Sequence, residues 1–159
     1  MSKTFIKKFN IDEAIEYFES INEKKFRARQ LFNWLYEREA STFEEMTNFS
    51  KELRHTLEDT FLIQSLTLED RQISKSDGTE KYLFKTHDNH FIESVLLRND
   101  GSTDGRLTVC ISSQIGCAMG CKFCETAKIG FKRNLEPAEI IDQLYIVRKT
   151  SGVKNDNIV

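Results

Sequence analysis

Residues 110–135 read CISSQIGCAMGCKFCETAKIGFKRNL, and they contain all four cysteines of the chain. Cys117, Cys121 and Cys124 are spaced C-x3-C-x2-C, with Phe123 immediately before the last. Just upstream, Leu107, Val109 and Ile111 alternate with Thr108, Cys110 and Ser112, the period of a half-buried strand. Just downstream, Pro137 suits the first position of a helix. Ile141, Leu144 and Tyr145, flanked by Ile140 and Val147, form the expected buried stripe of that helix as far as Lys149. A strand therefore runs into a cysteine loop and a helix leads out of it. In α/β barrels, active-site loops follow the C-terminal ends of strands.

Three thiolates this close in sequence can converge on one inorganic centre. They are poorly placed for disulfides, and the composition reads as cytosolic, where disulfides are rare. Iron–sulfur clusters are usually held by cysteine alone. A three-cysteine loop without an evident fourth ligand leaves one iron able to take an exogenous ligand. Two other readings stay open: a zinc site completed by His87 or His90, and three unrelated buried thiols.

The C-x3-C-x2-C loop with an aromatic before its last cysteine resembles the radical S-adenosylmethionine (SAM) superfamily. The flanks Cys110-Ile-Ser-Ser-Gln-Ile-Gly-Cys117 and Gly130-Phe131-Lys132-Arg133-Asn134-Leu135 are similar to the RlmN/Cfr family of RNA adenine methyltransferases. The likeness extends upstream through Ile92-Glu93-Ser94-Val95 and Phe26-Arg27-Ala28-Arg29-Gln30-Leu31-Phe32. It implies a 4Fe-4S cluster on Cys117, Cys121 and Cys124, with SAM on the open iron and Phe123 on the cofactor side. It also implies that a deoxyadenosyl radical activates a methyl group carried by a further cysteine, because a ring carbon of adenine is too poor a nucleophile for polar methyl transfer. Cys110 matches the residue that resolves the resulting RNA–protein adduct, and Glu93 matches its proton acceptor. The implied target is carbon 2 of an adenine in ribosomal RNA, with transfer RNA a second candidate substrate and carbon 8 the Cfr-type alternative. A zinc-stabilised RNA-binding module without catalysis is the other. The implied electron donor is flavodoxin or an equivalent, and the expected state is a monomer.

The same resemblance shows what this chain lacks. No cysteine follows Cys124 to carry the methyl group, and the glycine- and glutamate-containing SAM motif is missing. The chain is expected to be the N-terminal portion of a longer protein, or a truncated product, and to be inactive alone.

Before the cysteine stretch, helical spacing comes first and strand spacing second. Ile11, Ala14, Ile15 and Phe18 share a helix face behind Asn10, a suitable cap, and Ala28, Leu31, Phe32 and Leu35 share another, with Trp34 read as core. Ser41-x-x-Glu44 and Thr42-x-x-Glu45 are both capping boxes, and Ser50 caps a helix carrying Leu53 and Leu57. Leu66 and Leu68, then Tyr82 and Phe84, alternate with polar neighbours around Asp77-Gly78, a hairpin signal. A further strand runs Phe91–Arg98. Glu93 shares a face there with Phe91, Val95 and Leu97, and the opposite face (Ile92, Ser94, Leu96) is nearly as apolar. Either face could be the buried one, and a buried carboxylate takes up protons more readily. A glycine-containing loop, Asn99 to Gly105, and Asn157-Ile158-Val159 as the start of a next strand complete the pattern.

The expected fold is an α+β N-terminal region, a small helical module plus antiparallel strands, followed by the first βα unit of a radical-SAM partial α/β barrel. The expected divisions are 1–62 as helical accessory domain, 63–105 as antiparallel β connecting region and 106–159 as the start of the barrel. The 159 residues are 39% hydrophobic and 30% charged, with a formal net charge of -2. That balance supports a packed core and does not advertise nucleic acid binding. Local basic clusters do so weakly: Lys24, Lys25, Arg27 and Arg29, and then Lys122, Lys128, Lys132 and Arg133 around the cysteine loop. No apolar run is long enough to span a membrane and the N-terminus lacks a secretory pattern, so a cytoplasmic protein is expected.

Overall fold

The helical spacing of the first sixty residues produces helices where caps are available to satisfy their first N–H groups. The computed structural model describes residues 3–98, 107–153 and 157–159, and the chain divides into two units, Met1–Ser65 and Leu66–Val159. In the first unit, β1 (Thr4–Phe5) precedes α1 (Ile11–Ser20). Asn10 Oδ1 accepts from the N–H groups of Asp12 and Glu13 at 2.9 Å each, and the Glu13 carboxylate accepts from the Asn10 N–H at 2.8 Å. The second helix, α2 (Phe26–Phe32), widens into a π-turn over Asn33–Glu37. Of the two candidate capping boxes, Thr42–Glu45 forms, around a single 3-10 turn at Phe43–Glu45. Ser50 caps α3 (Lys51–Thr60) by accepting from the Leu53 N–H at 3.2 Å. The unit closes with β2 (Phe61–Leu62), parallel to β1.

Ala14, Phe18, Ala28, Leu31, Leu35 and Leu57 meet in one buried cluster, each large side chain contributing about 1.5–3 kcal/mol of transfer free energy. Trp34 departs from the core expected for it. Its ring is half-buried beneath the Arg38 guanidinium, 4.4 Å from the centroid, and its Nε1 donates to Asn48 at 2.6 Å. An indole needs a partner for its N–H, and the rim supplies one.

In the second unit, β3 (Leu66–Ile73), β4 (Glu80–Thr86), β5 (Phe91–Arg98) and β6 (Leu107–Cys110) form an antiparallel run. The β3–β4 hairpin turns through Asp77-Gly78, where Gly78 has φ 67° and Asp77 accepts from the Thr79 N–H at 3.1 Å. The loop expected from Asn99 to Gly105 lies outside the described residues. After β6 come β7 (Gln114–Ile115), α4 (Glu125–Ile129), β8 (Arg133–Asn134) and α5 (Pro137–Ser151). Finally β9 (Asn157–Ile158) pairs parallel with β6, so the sheet order is β3-β4-β5-β6-β9. The connection through α5 is the helical crossover that a parallel pair requires.

The core of this unit collects Tyr82, Phe84, Ile92, Leu96, Val109, Leu144 and Val147. Glu80 is buried with them, accepting from Arg71 at 2.7 and 2.9 Å, from Arg98 at 2.6 Å and from the Tyr82 hydroxyl. Burial alone would raise the Glu80 carboxyl, but the hydrogen bonds from Arg98, Tyr82 and Arg71 outweigh it and hold the group below its ordinary range. On α5 the buried face differs from the expected stripe. Ile141 and Tyr145 are half-buried, whereas Glu139, Asp142 and Gln143 are buried beside Leu144 and Val147. Glu139 and Gln143 turn inward because they complete hydrogen bonds to Arg133 and Ser112, on either side of the cysteine loop.

Candidate active site

The cysteine loop is closed at its neck by the two-residue pair β7–β8, with Gln114 opposite Asn134 and Ile115 opposite Arg133. The Lys132 N–H donates to the Ile115 carbonyl at 2.9 Å, and the Leu135 N–H to the Ser113 carbonyl at 2.9 Å. Gly116, at φ 71°, sits directly against Gly130: a Cβ built there would lie 1.8 Å from the Gly130 carbonyl oxygen. Only glycine permits both that backbone angle and that approach.

Arg133 ties this neck to the turn between β4 and β5. Its guanidinium donates to Asp88 at 2.8 and 3.0 Å and to Glu139 at 2.7 and 2.8 Å. The Glu139 carboxylate is wholly buried. Hydrogen bonds from Arg133 hold the Asp88 carboxyl well below the usual carboxylate range. For Glu139, burial works upward, and Arg133 together with the Glu136 N–H overcomes it. Two forked pairs of this kind are the stronger class of charge-assisted hydrogen bond.

Within the loop, Cys121 is exposed and Cys117 and Cys124 are half-buried, all three as free thiols. The Met119 N–H donates to Cys117 Sγ at 3.5 Å. Cys124 precedes α4, and hydrogen bonds from the Ala127 and then the Thr126 backbone N–H hold its thiol below the ordinary range. N–H donors to sulfur are among the features that tune iron–sulfur sites. Among the described residues, the only three His, Cys, Asp or Glu ligand atoms within 4.8 Å of one another belong to His87, Asp88 and Glu139. Arg133 already supplies the cation there. The three thiol sulfurs are thus not all within 4.8 Å of one another. A cluster bonds each thiolate to a different iron, and three thiols on one short loop, with N–H donors at Cys117 and Cys124, are a donor set of the kind it needs. His87 Nδ1 lies 3.6 Å from Glu139 and His90 Nδ1 3.3 Å from Asp88. Phe123 stands 91% exposed at the rim of the loop.

The sheet brings Glu93 and Cys110 to one face. Cys110 is paired across from Val95, and Val95 across from Lys81, so Lys81, Val95 and Cys110 form a row with Glu93 two residues along β5. Diagonal neighbours in such a ladder stand about 7–8 Å apart. This is the solvent face: Glu93 and Cys110 are exposed, and Glu93 pairs with Lys81 Nζ at 3.1 Å. The buried alternative for Glu93 is not formed, because Ile92, Ser94 and Leu96 make up the buried face of β5. Strand alternation placed Glu93 with Phe91, Val95 and Leu97 but could not say which face turned inward. Lys81 escaped sequence reading, although a lysine at the head of an alternating strand was a signal for this pairing.

The basic clusters contribute less open charge than their sequence suggests. Arg27 is tied to Glu23, Gln30 and the Asn48 carbonyl at 3.4, 2.9 and 3.0 Å, Lys25 lies 3.3 Å from Glu19, and Lys128 pairs with Glu125. Arg133 is spent on Asp88 and Glu139.

Residues 6–63 match the ribosomal RNA large subunit methyltransferase N-terminal domain. The chain is 44% identical over 151 residues to a probable dual-specificity RNA methyltransferase RlmN of Cytophaga hutchinsonii, covering 95% of this chain and 40% of that protein. It is 44% identical over 155 residues to the dual-specificity RNA methyltransferase RlmN of Geotalea uraniireducens, covering 98% of this chain and 44% of that one. The crystal structure of a radical SAM methyltransferase from Sphaerobacter thermophilus is similar with a TM-score of 0.84 and 34% identity, over 98% of this chain and 45% of its own. The chain thus spans less than half the length of the relatives it matches.

Proposed function

We propose, because this chain corresponds to the N-terminal portion of the RlmN family, that the protein it represents is a cytoplasmic radical SAM methyltransferase acting on carbon 2 of an adenine in ribosomal RNA and also in transfer RNA. Residues 106–159 would then be the first part of the barrel. In this reading Cys117, Cys121 and Cys124 hold a 4Fe-4S cluster, and Phe123 borders the bound SAM. When bound, the cluster supplies the electron, from a flavodoxin-like donor, that splits SAM to a radical.

The residues of this chain have three tasks. The thiols of the loop present sulfur on an accessible edge, and the Gly116–Gly130 neck and the Arg133 clamp fix that edge to the sheet. Cys110 offers a thiol to resolve the RNA adduct, and Glu93 a carboxylate to accept the proton. Lys81 holds that carboxylate in place.

The observation that carries the reading is that Glu93 on β5 and Cys110 at the end of β6, apart in sequence, share one exposed face of the sheet, where β6 leads into the three-thiol loop. Anaerobic loading with iron and sulfide followed by elemental analysis tests it. Brown protein containing both elements is expected; colourless protein that takes up a single zinc and no sulfide would overturn it in favour of a structural metal module.

A further inference from the structure

Gln143 is fully buried on the face of α5 that meets the sheet, at 0% exposure. Its Oε1 accepts from the Ser112 N–H and from the Ser94 hydroxyl, both at 2.8 Å. Its Nε2 donates to the Ser112 carbonyl at 2.9 Å and to the Glu139 carbonyl at 3.1 Å. A backbone N–H only donates and a carbonyl only accepts, so the orientation of the amide is fixed by its partners.

Ser112 lies where regular strand pairing is interrupted. Ladder pairing of β6 ends at Cys110 and resumes in β7 at Gln114. The side-chain amide presents to Ser112 the donor and acceptor that a neighbouring strand would present. The Ser112 hydroxyl, in turn, donates to the Glu93 carbonyl at 2.8 Å. Ser112 is thus held from two sides, between the strand that carries Glu93 and the helix that carries Gln143, two residues after Cys110 and five before Cys117.

We propose that Gln143 is a positioning residue: by standing in for a strand at Ser112, it sets Cys110 beside Glu93 and aims the entrance of the cysteine loop. The pinning follows from the hydrogen bonds alone, and its chemical importance rests on the radical SAM reading above.

Amide hydrogen exchange at residues 110–115 of this 159-residue chain tests it, with protection factors corrected for intrinsic rates. Gln143→Leu fills the same space without the amide and should cost about tenfold in protection at Ser112, the worth of one to two hydrogen bonds. Ser94→Ala should leave that protection near its original value. The decisive variant is Gln143→Glu. Protonated, at pH 5, its hydroxyl can still donate to the Ser112 carbonyl, burial favouring that form. Ionised, at pH 8, it still accepts from the Ser112 N–H, but the buried charge faces the Ser112 and Glu139 carbonyls with no proton to give, which favours local opening. Protection at Ser112 should therefore be near parental at pH 5 and reduced at pH 8, a dependence that a space-filling side chain would not create. Should Gln143→Leu fail to fold, this comparison within one variant decides the matter.

Unchanged protection in Gln143→Leu, or protection independent of pH in Gln143→Glu, would overturn the assignment. Iron and sulfide uptake measured in parallel keeps the two claims apart. Uptake failing in the parent chain while the Ser112 effects persist sinks the cluster reading and leaves the positioning role. Normal uptake with unaltered Ser112 protection does the reverse.

Discussion

Arg133 stands at the exit of the cysteine loop in a run that looked like a basic patch, and its two carboxylate partners give it a structural task instead. Removing it leaves the wholly buried Glu139 without its main partner, so Arg133→Gln should destabilise the second unit by about 3 kcal/mol, read from the urea midpoint. The sign of the pH dependence follows from the directions. Asp88 and Glu139 are both held below their ordinary range. Their contribution is present above the unfolded carboxyl values near 4 and is lost as pH falls through that region toward the folded ones. Stability should decline from about pH 5 downward, and Arg133→Gln should flatten that decline; an equally steep acid limb in the variant would contradict the clamp. Tyr82 works at the other end of the scale. Burial, then its hydrogen bond to Glu80, pushes its hydroxyl up to about 12. Stability from the neutral phenol is present below about pH 10 and is lost as pH rises toward the folded value. Tyr82→Phe should remove that alkaline loss, as followed by circular dichroism between the two limits.

Gly116 and the two-residue strands β7 and β8 form the element on which the loop hangs. Gly116→Ala meets both the positive φ and the 1.8 Å approach to Gly130. It should cost at least ~1–2 kcal/mol from the backbone angle alone and reduce iron uptake; uptake equal to the parent chain would show that the neck does not shape the loop. Such a neck was not legible in the sequence, since two residues of strand carry no periodicity. The caps at Asn10 and Ser50, the Asp77-Gly78 hairpin and the strand Phe91–Arg98 were legible, because each rests on a local rule of backbone satisfaction or alternation. The inward face of α5 was not. Glu139 and Gln143 are polar, and hydropathy places them outside unless Arg133 and Ser112 are already known to need them. The candidate site divides the same way: its residues could be named from the cysteine spacing and its flanks, whereas the exposure of Glu93 and its pairing with Lys81 depended on which sheet face α5 covers.

At the scale of the whole molecule, two units each carry a buried core of their own, and no helix among the described residues is long and apolar enough to cross a membrane. Glu93 and Cys110 are exposed on one face of the sheet, and the proposed mechanism needs a further, methyl-carrying cysteine, whereas the four cysteines of these 159 residues all lie at or before Cys124. Residues 1–159 alone should therefore yield no methylated adenine with ribosomal or transfer RNA, as read by nucleoside mass spectrometry. Methylation by this chain would show that the further cysteine is unnecessary. The most direct measurement is the iron and sulfide content of the parent chain after anaerobic loading, set beside Cys121→Ala and Cys110→Ala. Matched iron and sulfide are expected in the parent, with a severe loss in Cys121→Ala and near-parental content in Cys110→Ala; equal content in the parent and Cys121→Ala, or loss only in Cys110→Ala, would rule out the three-cysteine cluster.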